Sequence, residues 1–460
     1  MTDAGDITEV REDDAYALDN RILSEVRGAI TAGDGARISD SLSQLHAADI
    51  ADLLEQIDDA VRSDMLRLAP DVIDGEVLSE LDEGLREDVI ALLPQEALGE
   101  ALRDLESDDV VDLLEDLEEP QQEVLLSALD DADRAAVERA LSYPEFSAGR
   151  LMQREVVLAP QHWTVGDAID HMRAHDDLPE DFYHIILVDP GMHPTGYVTL
   201  GKLMGSPRAT RLDTIVEDSF RTIPVDQDEG DVAYAFNQYH LISAPVVDGD
   251  GRLVGVITID DAMAVLDEEH EEDILRLAGV GEGSLSDKVI ETTRQRLPWL
   301  AVNLVTAIAA SLVIAQFEDA IAQIVALAVL MPIVASMGGN AGTQSLTVAV
   351  RAIATRDLTG SNVWRVIRRE VLVGLVNGAI FAVIMGIVGI AWFGLPMLGV
   401  VIAIAMVVNL VMAGLAGIVI PVVLDRIGVD PALASGAFVT TVTDVVGFFA
   451  FLGLAVVLLL

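Results

Sequence analysis

The chain has 460 residues, which is too long for one ordinary domain core, so we expect two or more domains. It carries 76 acidic residues against 28 Lys and Arg, a net charge of -48, although 51% of its residues are hydrophobic. A surface this acidic repels phosphate backbones, which excludes nucleic acids as partners. The sequence contains no cysteine, which excludes disulfides and cysteine-ligated zinc sites.

The charge is concentrated in the first part of the chain. Residues 1–296 hold 69 acids and 22 bases, whereas residues 297–460 hold 7 acids and 6 bases. We therefore expect an acidic, water-soluble part followed by a membrane part. The first residues contain neither a basic segment nor an apolar run, so no secretory signal is predicted and the acidic part is expected in the cytoplasm.

Residues 1–145 are predicted to form an acidic domain of short helices. Their apolar residues recur at intervals of three and four, as on the buried face of a helix. The segments Ala48–Ile57 and Asp108–Leu117 share one pattern, 60 residues apart. This repeat favours a helical-repeat superhelix, with an irregular helical bundle as the alternative.

Residues 146–266 change to β-branched segments with Gly and Pro, and they divide into two similar units, 146–208 and 209–266. In each unit a helix precedes two strands, and the second strands are predicted at Gly196–Leu203 and Gly255–Met263. A tandem pair of small α/β units is typical of a sensor module rather than of an active site.

Residues 267–296 connect this module to the membrane part. They begin with Asp267–Asp273, where six of the seven residues are acidic. Such a charge run is usually a solvated helix face. Here the helix leads to the expected cytoplasmic mouth of the membrane part. Divalent ions bound to it would therefore hold it in place, because they screen carboxylates that otherwise repel each other.

Residues 297–460 contain five uncharged stretches that are long enough to span a bilayer. The predicted spans are Leu297–Gln316, Ala320–Val350, Val371–Phe393, Leu398–Leu424 and Pro431–Leu460. Arginines precede the first span and follow the second and the fourth. Because Lys and Arg stay on the cytoplasmic side, we expect a multi-pass protein of the plasma membrane with its carboxyl terminus outside.

Asp444 is the one ionisable residue within these predicted spans. A charge at bilayer depth is costly and persists mainly where it lines a path or meets a partner. Thr440, Thr441 and Thr443 add further oxygens nearby. Hard oxygen ligands of this kind suit Mg²⁺, Ca²⁺ or Mn²⁺. The alternative is an Asp that only hydrogen-bonds a neighbouring helix.

The second span contains a polar, glycine-rich stretch, Gly338–Thr347, which predicts an interruption of the helix beside protein or a water-filled cavity. Asn340, Thr343, Gln344 and Thr347 are the candidate pore contacts in this stretch. Its GxxxG spacing is also compatible with close helix packing.

A single Asp444 cannot balance a divalent ion, but a two-fold axis along the pore would bring two of these carboxylates to one site. We therefore expect a homodimer that recognises hydrated Mg²⁺. Two charges that move inward down 100 mV release about 4.6 kcal/mol. No pump machinery is then needed, and the sequence has no Walker A motif.

Several motifs of the chain resemble the MgtE family of magnesium channels. These motifs are Ser142–Met152, Gly338–Ser345, Asp430–Leu433 and Asp444–Gly447. The resemblance implies a multidomain fold with an all-α helical-repeat N domain and an α/β tandem pair of CBS (cystathionine β-synthase-like) domains. A plug helix at 267–296 and a polytopic α-helical membrane domain with five transmembrane helices would follow.

The same resemblance implies a function. Asp444 would contribute to the central Mg²⁺ site of a homodimeric channel, and cytoplasmic Mg²⁺ would close the channel at acidic interfaces of the N domain, the CBS pair and the plug helix. The regulatory acids would include Asp261, Glu269, Glu272 and Asp273. Some relatives also bind ATP between CBS units, and Thr258 with Asp261 fits that pattern.

Two other classes of protein compete with this interpretation. An intramembrane aspartyl enzyme needs two carboxylates, and Asp444 has no companion within the predicted spans, so we expect no enzymatic activity. The main alternative is a CBS-regulated secondary transporter of another ion or solute, with Asp444 as a proton or Na⁺ site. The sequence leaves the choice among Mg²⁺, Co²⁺, Ni²⁺ and Mn²⁺ open, because the same oxygens accept all of them.

Overall fold

The computed structural model describes residues 20–280 and 289–460, except for 104, 116, 118, 128, 130, 176, 177, 180, 181, 218 and 219. The chain forms two compact units, of which the first ends at Glu268 and the second begins at Glu269. Residues 1–19 of the predicted N domain and residues 281–288 of the predicted plug helix lie outside the described residues.

The first unit starts with ten short helices around one apolar core. They are α1 (Asn20–Ala32), α2 (Gly35–Leu42), α3 (Ala47–Gln56), α4 (Asp59–Leu68), α5 (Gly75–Ser79), α6 (Glu83–Leu92), α7 (Gln95–Ala101), α8 (Ser107–Glu115), α9 (Glu119–Leu126) and α10 (Asp131–Ala140). Leucines at the repeated positions, such as Leu54 and Leu114, are completely buried. Their burial is the main source of the stability of this helical domain.

The predicted 60-residue repeat is visible in the hydrogen bonds at the ends of α3 and α8. Arg62 donates hydrogen bonds to the carbonyls of Leu54 and Ile57, 3.0 and 3.1 Å away. Gln122, at the corresponding position of the second repeat, donates to the two corresponding carbonyls near the end of α8, 2.8 and 3.0 Å away. Carbonyls in the last turn of a helix lack helical partners. The sequence repeat therefore corresponds to one repeated contact that satisfies a helix end.

Two three-stranded sheets and their helices complete the first unit. The strands are β1 (Leu158–Pro160), β2 (His184–Val188), β3 (Pro194–Thr199), β4 (Ile223–Pro224), β5 (Ser243–Val247) and β6 (Leu253–Thr258), and the helices are α11 (Ala148–Leu151), α12 (Val165–Ala174), α13 (Leu200–Gly205), α14 (Glu229–Tyr239) and α15 (Ile259–Leu277). In each sheet the middle strand pairs in parallel with the first strand and antiparallel with the third. The two α/β units therefore have the same topology, as the sequence predicts.

Strands β3 and β6, which correspond to the predicted second strands of the two units, are shorter than their predicted ranges. Strand β3 ends at Thr199 and β6 ends at Thr258, where the predicted strands continued to Leu203 and Met263. Each threonine directly precedes a helix, α13 or α15. Thr199 caps α13, because its hydroxyl accepts a hydrogen bond from the backbone N–H of Lys202 at 3.3 Å. The apolar residues after each threonine lie on a helix face, a pattern that a short sequence window does not distinguish from a strand.

The second unit is built from long helices. They are α16 (Val289–Ala315), α17 (Glu318–Gln323), α18 (Ala326–Ala354), α19 (Val363–Phe393), α20 (Pro396–Arg426) and α21 (Pro431–Leu459). Five of them, all except α17, are long and apolar enough to cross a membrane. Helix α20 is the most buried of the five and packs against α18, α19 and α21.

Helix α18 runs without a break through Gly338–Ser345, so the predicted interruption of the second span is wrong. Gly338 and Gly342 lie on its buried face. A Cβ atom at Gly338 would lie 2.2 Å from Nδ2 of Asn409, and one at Gly342 would lie 2.6 Å from Val439. The glycine-rich stretch therefore serves close helix packing, which was the alternative interpretation of its spacing.

Helix α19 begins at Val363, eight residues before the predicted third span. Its first two turns contain Arg365, Arg368, Arg369 and Glu370, and these charges explain why a hydropathy pattern places the start at Val371. Glu370 is 9% exposed. Asp444 is consequently not the only ionisable residue inside the membrane helices.

Candidate ion site in the membrane unit and acidic clusters

Asp444 lies on α21, and its carboxylate is partly buried. In the described part of the chain it forms no hydrogen bond and no ion pair. A carboxylate inside a membrane helix without a partner is costly unless water or a cation reaches it. The geometry therefore leaves Asp444 available to bind a cation.

Three threonines precede Asp444 within one turn of α21. Thr440 donates to the carbonyls of Gly436 and Ala437 at 3.0 and 3.1 Å, and Thr441 donates to Ala437 at 2.5 Å. Their hydroxyl hydrogens are therefore used within the helix, which leaves oxygen lone pairs to accept from hydration water or to face a cation. Both threonines are partly exposed, as predicted pore residues should be.

Thr443 differs from the other two threonines. It is completely buried and lies against α18, where a Cβ atom at Gly342 would be 3.5 Å from its methyl carbon. Its hydroxyl donates to the carbonyl of Thr440 at 2.9 Å. In this arrangement Thr443 packs α21 against α18 and does not reach an open surface.

The predicted pore residues Asn340, Thr343 and Thr347 lie on one exposed polar face of α18, together with Ser336, which was not predicted. Ser336, Asn340, Thr343 and Thr347 recur at intervals of four, three and four and are all exposed; we call this set the polar stripe. Within it the amide of Asn340 donates to the Ser336 hydroxyl at 3.4 Å, and Thr347 donates to the carbonyl of Thr343 at 3.0 Å. Gln344 is also exposed, beside the stripe. Such a face is unfavourable against lipid.

Asn409 of α20 holds α18 and α21 together and was missed by the sequence analysis. It is 1% exposed, and its amide donates to the carbonyl of Val334 at 2.8 Å. Gly338 of α18 and Gly447 of α21 both pack against its side chain. Its Oδ1 atom is buried without a partner among the described residues. An asparagine in an otherwise apolar helix was the available signal.

The connecting helix α15 contains all four predicted regulatory acids, three of them in its second half. Glu269 is exposed, whereas Glu272 and Asp273 are partly buried. Burial and then the nearby Asp430 raise the pKa of Asp273 above its ordinary value. Glu272 already pairs with Arg276, whose guanidinium lies 2.6 Å from its carboxylate. Because Arg276 also lies 3.3 Å from Asp430, Asp273 is the better candidate among these acids for binding a divalent ion in the second unit, with Asp430 beside it.

Asp261, the fourth predicted regulatory acid, lies in a cluster of five carboxylates inside the first unit. The others are Asp260 beside it and Glu106, Asp108 and Asp109 of the helical domain. Burial is the main cause that raises the pKa of Glu106 to about 7, of Asp109 to about 6 and of Asp261 to about 7. Repulsion by neighbouring carboxylates adds to it, first from Glu155 for Glu106 and from Asp112 for Asp109, and then from members of the cluster. For the same two reasons the pKa of Asp108 lies well above its ordinary value.

The sequence analysis missed the three acids of the helical domain, because Asp108 and Asp109 were treated only as part of the helical repeat. They come close to Asp261 through the Ser142–Met152 motif. Within that motif Arg150 donates to the carbonyl of Tyr143 at 3.0 Å and to Glu115 of α8 at 2.7 Å. The motif therefore fixes α8 beside the second α/β unit.

Thr258 and Asp261 are bonded to each other rather than open to a nucleotide. The Thr258 hydroxyl donates to the Asp261 carboxylate at 2.7 Å and also to Asp260. The surrounding carboxylates repel the phosphates of ATP. The described arrangement fits a cation better than a nucleotide, and ATP binding at these two residues stays a prediction.

No three Asp, Glu or His side chains converge into a preformed metal site within the described residues. Mg²⁺ usually keeps several of its waters and binds through one or two carboxylates. The described acids are therefore compatible with binding a hydrated Mg²⁺ ion, and not with a site in which protein ligands replace all of its waters.

Comparisons with known proteins agree with this architecture. Residues 331–454 match the family model MgtE, described as a divalent cation transporter, residues 45–146 match the MgtE intracellular N domain, and residues 148–207 and 213–268 match the CBS domain. The magnesium transporter MgtE of Thermus thermophilus is 34% identical over 449 residues, which cover 96% of this chain and 99% of that protein. This chain belongs to the MgtE family.

Two further MgtE relatives are similar to the chain. The magnesium transporter MgtE of Bacillus subtilis is 33% identical over 354 residues, which cover 76% of this chain and 78% of that protein. The solved cytosolic domain of the Mg²⁺ channel MgtE in complex with ATP is 30% identical, with a TM-score of 0.49, and covers 53% of this chain and 99% of that one. The segment 331–454 that matches the MgtE model contains Asp444, the polar stripe, Asn409 and Glu370.

Proposed function

We propose that this protein is a Mg²⁺ channel in which Asp444 binds hydrated Mg²⁺ on its way into the cell. The observation that carries this proposal is the partly exposed Asp444 residue, which has no partner among the described residues and follows the partly exposed Thr440 and Thr441 by one turn of α21. Its relatives in Thermus thermophilus and Bacillus subtilis are named magnesium transporters. Hard oxygen ligands and a negative charge are what Mg²⁺ prefers.

The channel is a homodimer. One carboxylate carries half the charge of a divalent ion, so two copies related by a two-fold axis provide a neutral site. The polar stripe supports this arrangement, since an exposed row of Asn, Ser and Thr side chains on a membrane helix needs water or protein beside it. A second copy whose stripe faces the first provides both the cover and the water-filled path.

Ion flow is passive and inward, and the carboxyl terminus lies outside. A divalent ion that enters down 100 mV releases about 4.6 kcal/mol. The arginines at the beginning of α19 and at the end of α20 support the cytoplasmic placement of those helix ends.

Cytoplasmic Mg²⁺ closes the channel through the acidic clusters. The first consists of Asp261 and the four acids around it, and the second consists of Asp273 and Asp430. At neutral pH the carboxylates of each cluster repel one another unless protons or cations neutralise them. When Mg²⁺ concentration falls, the repulsion loosens α8 from the second α/β unit and α15 from α21, and this loosening opens the channel.

Reconstituted protein in liposomes tests the proposal. The wild type takes up Mg²⁺ at a rate that is independent of a pH gradient, Asp444→Asn abolishes the uptake, and the exposed-acid control Glu318→Gln leaves it intact. Uptake that follows the proton gradient would instead support the alternative, a secondary transporter in which Asp444 carries a proton or Na⁺. Absence of Mg²⁺ uptake by the wild type would contradict the proposal.

A further inference from the structure

Glu370 of α19 is a buried carboxylate that the ion path described above does not use. It is 9% exposed. One of its oxygens accepts hydrogen bonds from Nε and Nη2 of Arg369, at 3.2 and 3.0 Å, and the other accepts from the Ser345 hydroxyl of α18 at 3.0 Å. Both oxygens are therefore satisfied, one on the same helix and one on the neighbouring helix.

Two glycines of α20 let α18 and α19 meet at this contact. A Cβ atom at Gly414 would lie 2.7 Å from the carbonyl oxygen of Glu370. A Cβ atom at Gly417 would lie 2.7 Å from the Cβ of Ser345 and 2.8 Å from the carbonyl oxygen of Gly342. Any larger residue at either position would push the helices apart, so these two glycines allow the close approach of the three helices at this level.

Ser345 is one helical turn from the contact between α18 and α21. Gly342, three residues earlier, packs against Val439 and Thr443, and Thr443 precedes Asp444 in the chain. Ser345 is buried, whereas the stripe residues Thr343 and Thr347 on either side of it are exposed, so it lies on a different side of α18. A rotation of α18 that breaks the Ser345 contact would also turn the stripe.

An apolar side chain of similar volume could fill the space that the Glu370 side chain occupies, so packing alone does not explain a carboxylate here. A buried ion pair or charged hydrogen bond is often no more stable than well-packed apolar residues of similar volume. Unlike an apolar contact, however, a hydrogen bond between Ser345 and Glu370 has a direction, and it fixes one rotation of α18 about its axis. Arg369, which is largely exposed, holds the carboxylate from the other side.

We propose that Glu370 is a positioning residue for ion conduction, which acts through Ser345 to fix the rotation of α18 and so the direction of the polar stripe relative to Asp444. This inference rests on the proposed function, because it assigns a role within the same ion path. It predicts that loss of the Ser345 contact alters how the path recognises the ion, and not only how much protein folds.

Full-length variants in liposomes test this role. Ser345→Ala and Glu370→Leu both remove the interhelical hydrogen bond, whereas Glu370→Gln keeps an acceptor for Ser345. For equal amounts of folded protein, we expect the first two variants to raise the half-saturating Mg²⁺ concentration about tenfold, the size of effect expected for one hydrogen bond to a charged group. They should also change the ratio of Mg²⁺ to Mn²⁺ uptake, while Glu370→Gln stays close to the wild type.

The double variant Ser345→Ala with Glu370→Leu is expected to be no worse than either single variant, since both act through one contact. Should Glu370→Leu fail to fold, Ser345→Ala alone decides the result. Unchanged half-saturation and ion ratio in Ser345→Ala, or effects that add in the double variant, would overturn the positioning role. The positioning role can fail while the proposed function holds, namely when the wild type takes up Mg²⁺ and Asp444→Asn does not. Absence of Mg²⁺ uptake by the wild type would instead refute the proposed function itself.

Discussion

Arg276 of the connecting helix α15 lies 3.3 Å from Asp430, the N-cap residue of α21. The two oxygens of Asp430 have different partners: Oδ1 accepts the backbone N–H of Ala432 at 2.7 Å and so caps α21, and Oδ2 faces Arg276. Arg276 also pairs with Glu272. One guanidinium therefore links α15 to the amino-terminal end of the helix that carries Asp444.

Replacement of this arginine should make the attachment of α15 depend on divalent ions. In Arg276→Gln, Asp273 and Asp430 face each other without the neighbouring positive charge, so α15 should loosen when Mg²⁺ is absent. A partly exposed ion pair contributes about 1 kcal/mol, and we expect amide hydrogen exchange around residues 270–278 to quicken about fivefold. Added Mg²⁺ should restore the wild-type rate.

The matched control is Arg294→Gln, which changes an exposed arginine of α16. It should leave exchange in α15 unchanged. Equal exchange rates in Arg276→Gln and the wild type without Mg²⁺ would show that Arg276 does not hold α15.

The acid cluster around Asp261 predicts a pH-dependent stability of the first unit. The pKa of Glu106 and of Asp261 in the folded protein is about 7, against ordinary values of 4.5 and 3.8. Folding therefore favours the protonated forms, and the stability that they contribute is fully present below about pH 4 and is lost as the pH rises through about 7. Without divalent ions, the thermal midpoint of the full-length protein should fall between pH 5 and pH 8.

Mg²⁺ should raise the thermal midpoint at pH 8 more than at pH 5, because at low pH protons already neutralise the cluster. The double variant Glu106→Gln with Asp261→Asn, which removes both of these carboxylates, should lose much of this pH dependence. A wild-type midpoint that rises from pH 5 to pH 8 without Mg²⁺ would contradict the raised pKa values of these acids.

The same acids should set the Mg²⁺ concentration that closes the proposed channel. In patch recordings, Asp109→Asn with Asp261→Asn, and separately the triple replacement of Glu269, Glu272 and Asp273 by their amides, should raise the internal Mg²⁺ needed for closure. An exposed pair such as Asp58 and Asp59, changed to Asn, is the control. If inhibition by internal Mg²⁺ is the same in the wild type and in both sets of variants, these acids do not regulate closure.

Adjacent glycines of α18 give a paired test of helix packing. Gly338→Ala places a methyl group against Asn409, and such overpacking costs about 1–3 kcal/mol. At Gly339 no atom lies within 4 Å of a new Cβ, and alanine favours a helix over glycine by about 1 kcal/mol. Thermal unfolding in detergent should therefore show a lower midpoint for Gly338→Ala and an equal or higher one for Gly339→Ala. Equal destabilisation by both would argue against the contact with Asn409.

The sequence predicts the order of the domains well because their patterns differ in kind. Apolar residues at intervals of three and four, paired β-branched strands and long uncharged stretches each indicate one type of structure, and the 60-residue repeat reappears in the equivalent contacts of Arg62 and Gln122. The candidate residues of the ion path, Asp444 and the exposed face of α18, were named from charge depth and helical spacing, and their role stays a prediction.

Contacts between segments that are distant in the chain could not be predicted from these sequence patterns. Glu370 was missed because its arginine neighbours lower the local hydropathy, and its burial depends on Ser345 and Gly414 of other helices. Glu106, Asp108 and Asp109 look like any solvated helix end until Arg150 brings α8 beside Asp261. The continuity of helix α18 was not predicted, because a polar, glycine-rich segment is also typical of a helix break. In this helix Gly338 and Gly342 instead provide room for Asn409 and Val439.

The most direct test of the account is Mg²⁺ uptake by purified full-length protein in liposomes, compared between the wild type and Asp444→Asn. This substitution preserves the size and most hydrogen-bonding capacity of the side chain but removes its charge. We predict that uptake is lost while the thermal midpoint and the oligomeric state stay the same. Undiminished Mg²⁺ uptake by correctly folded Asp444→Asn would contradict the claim that this carboxylate binds the ion.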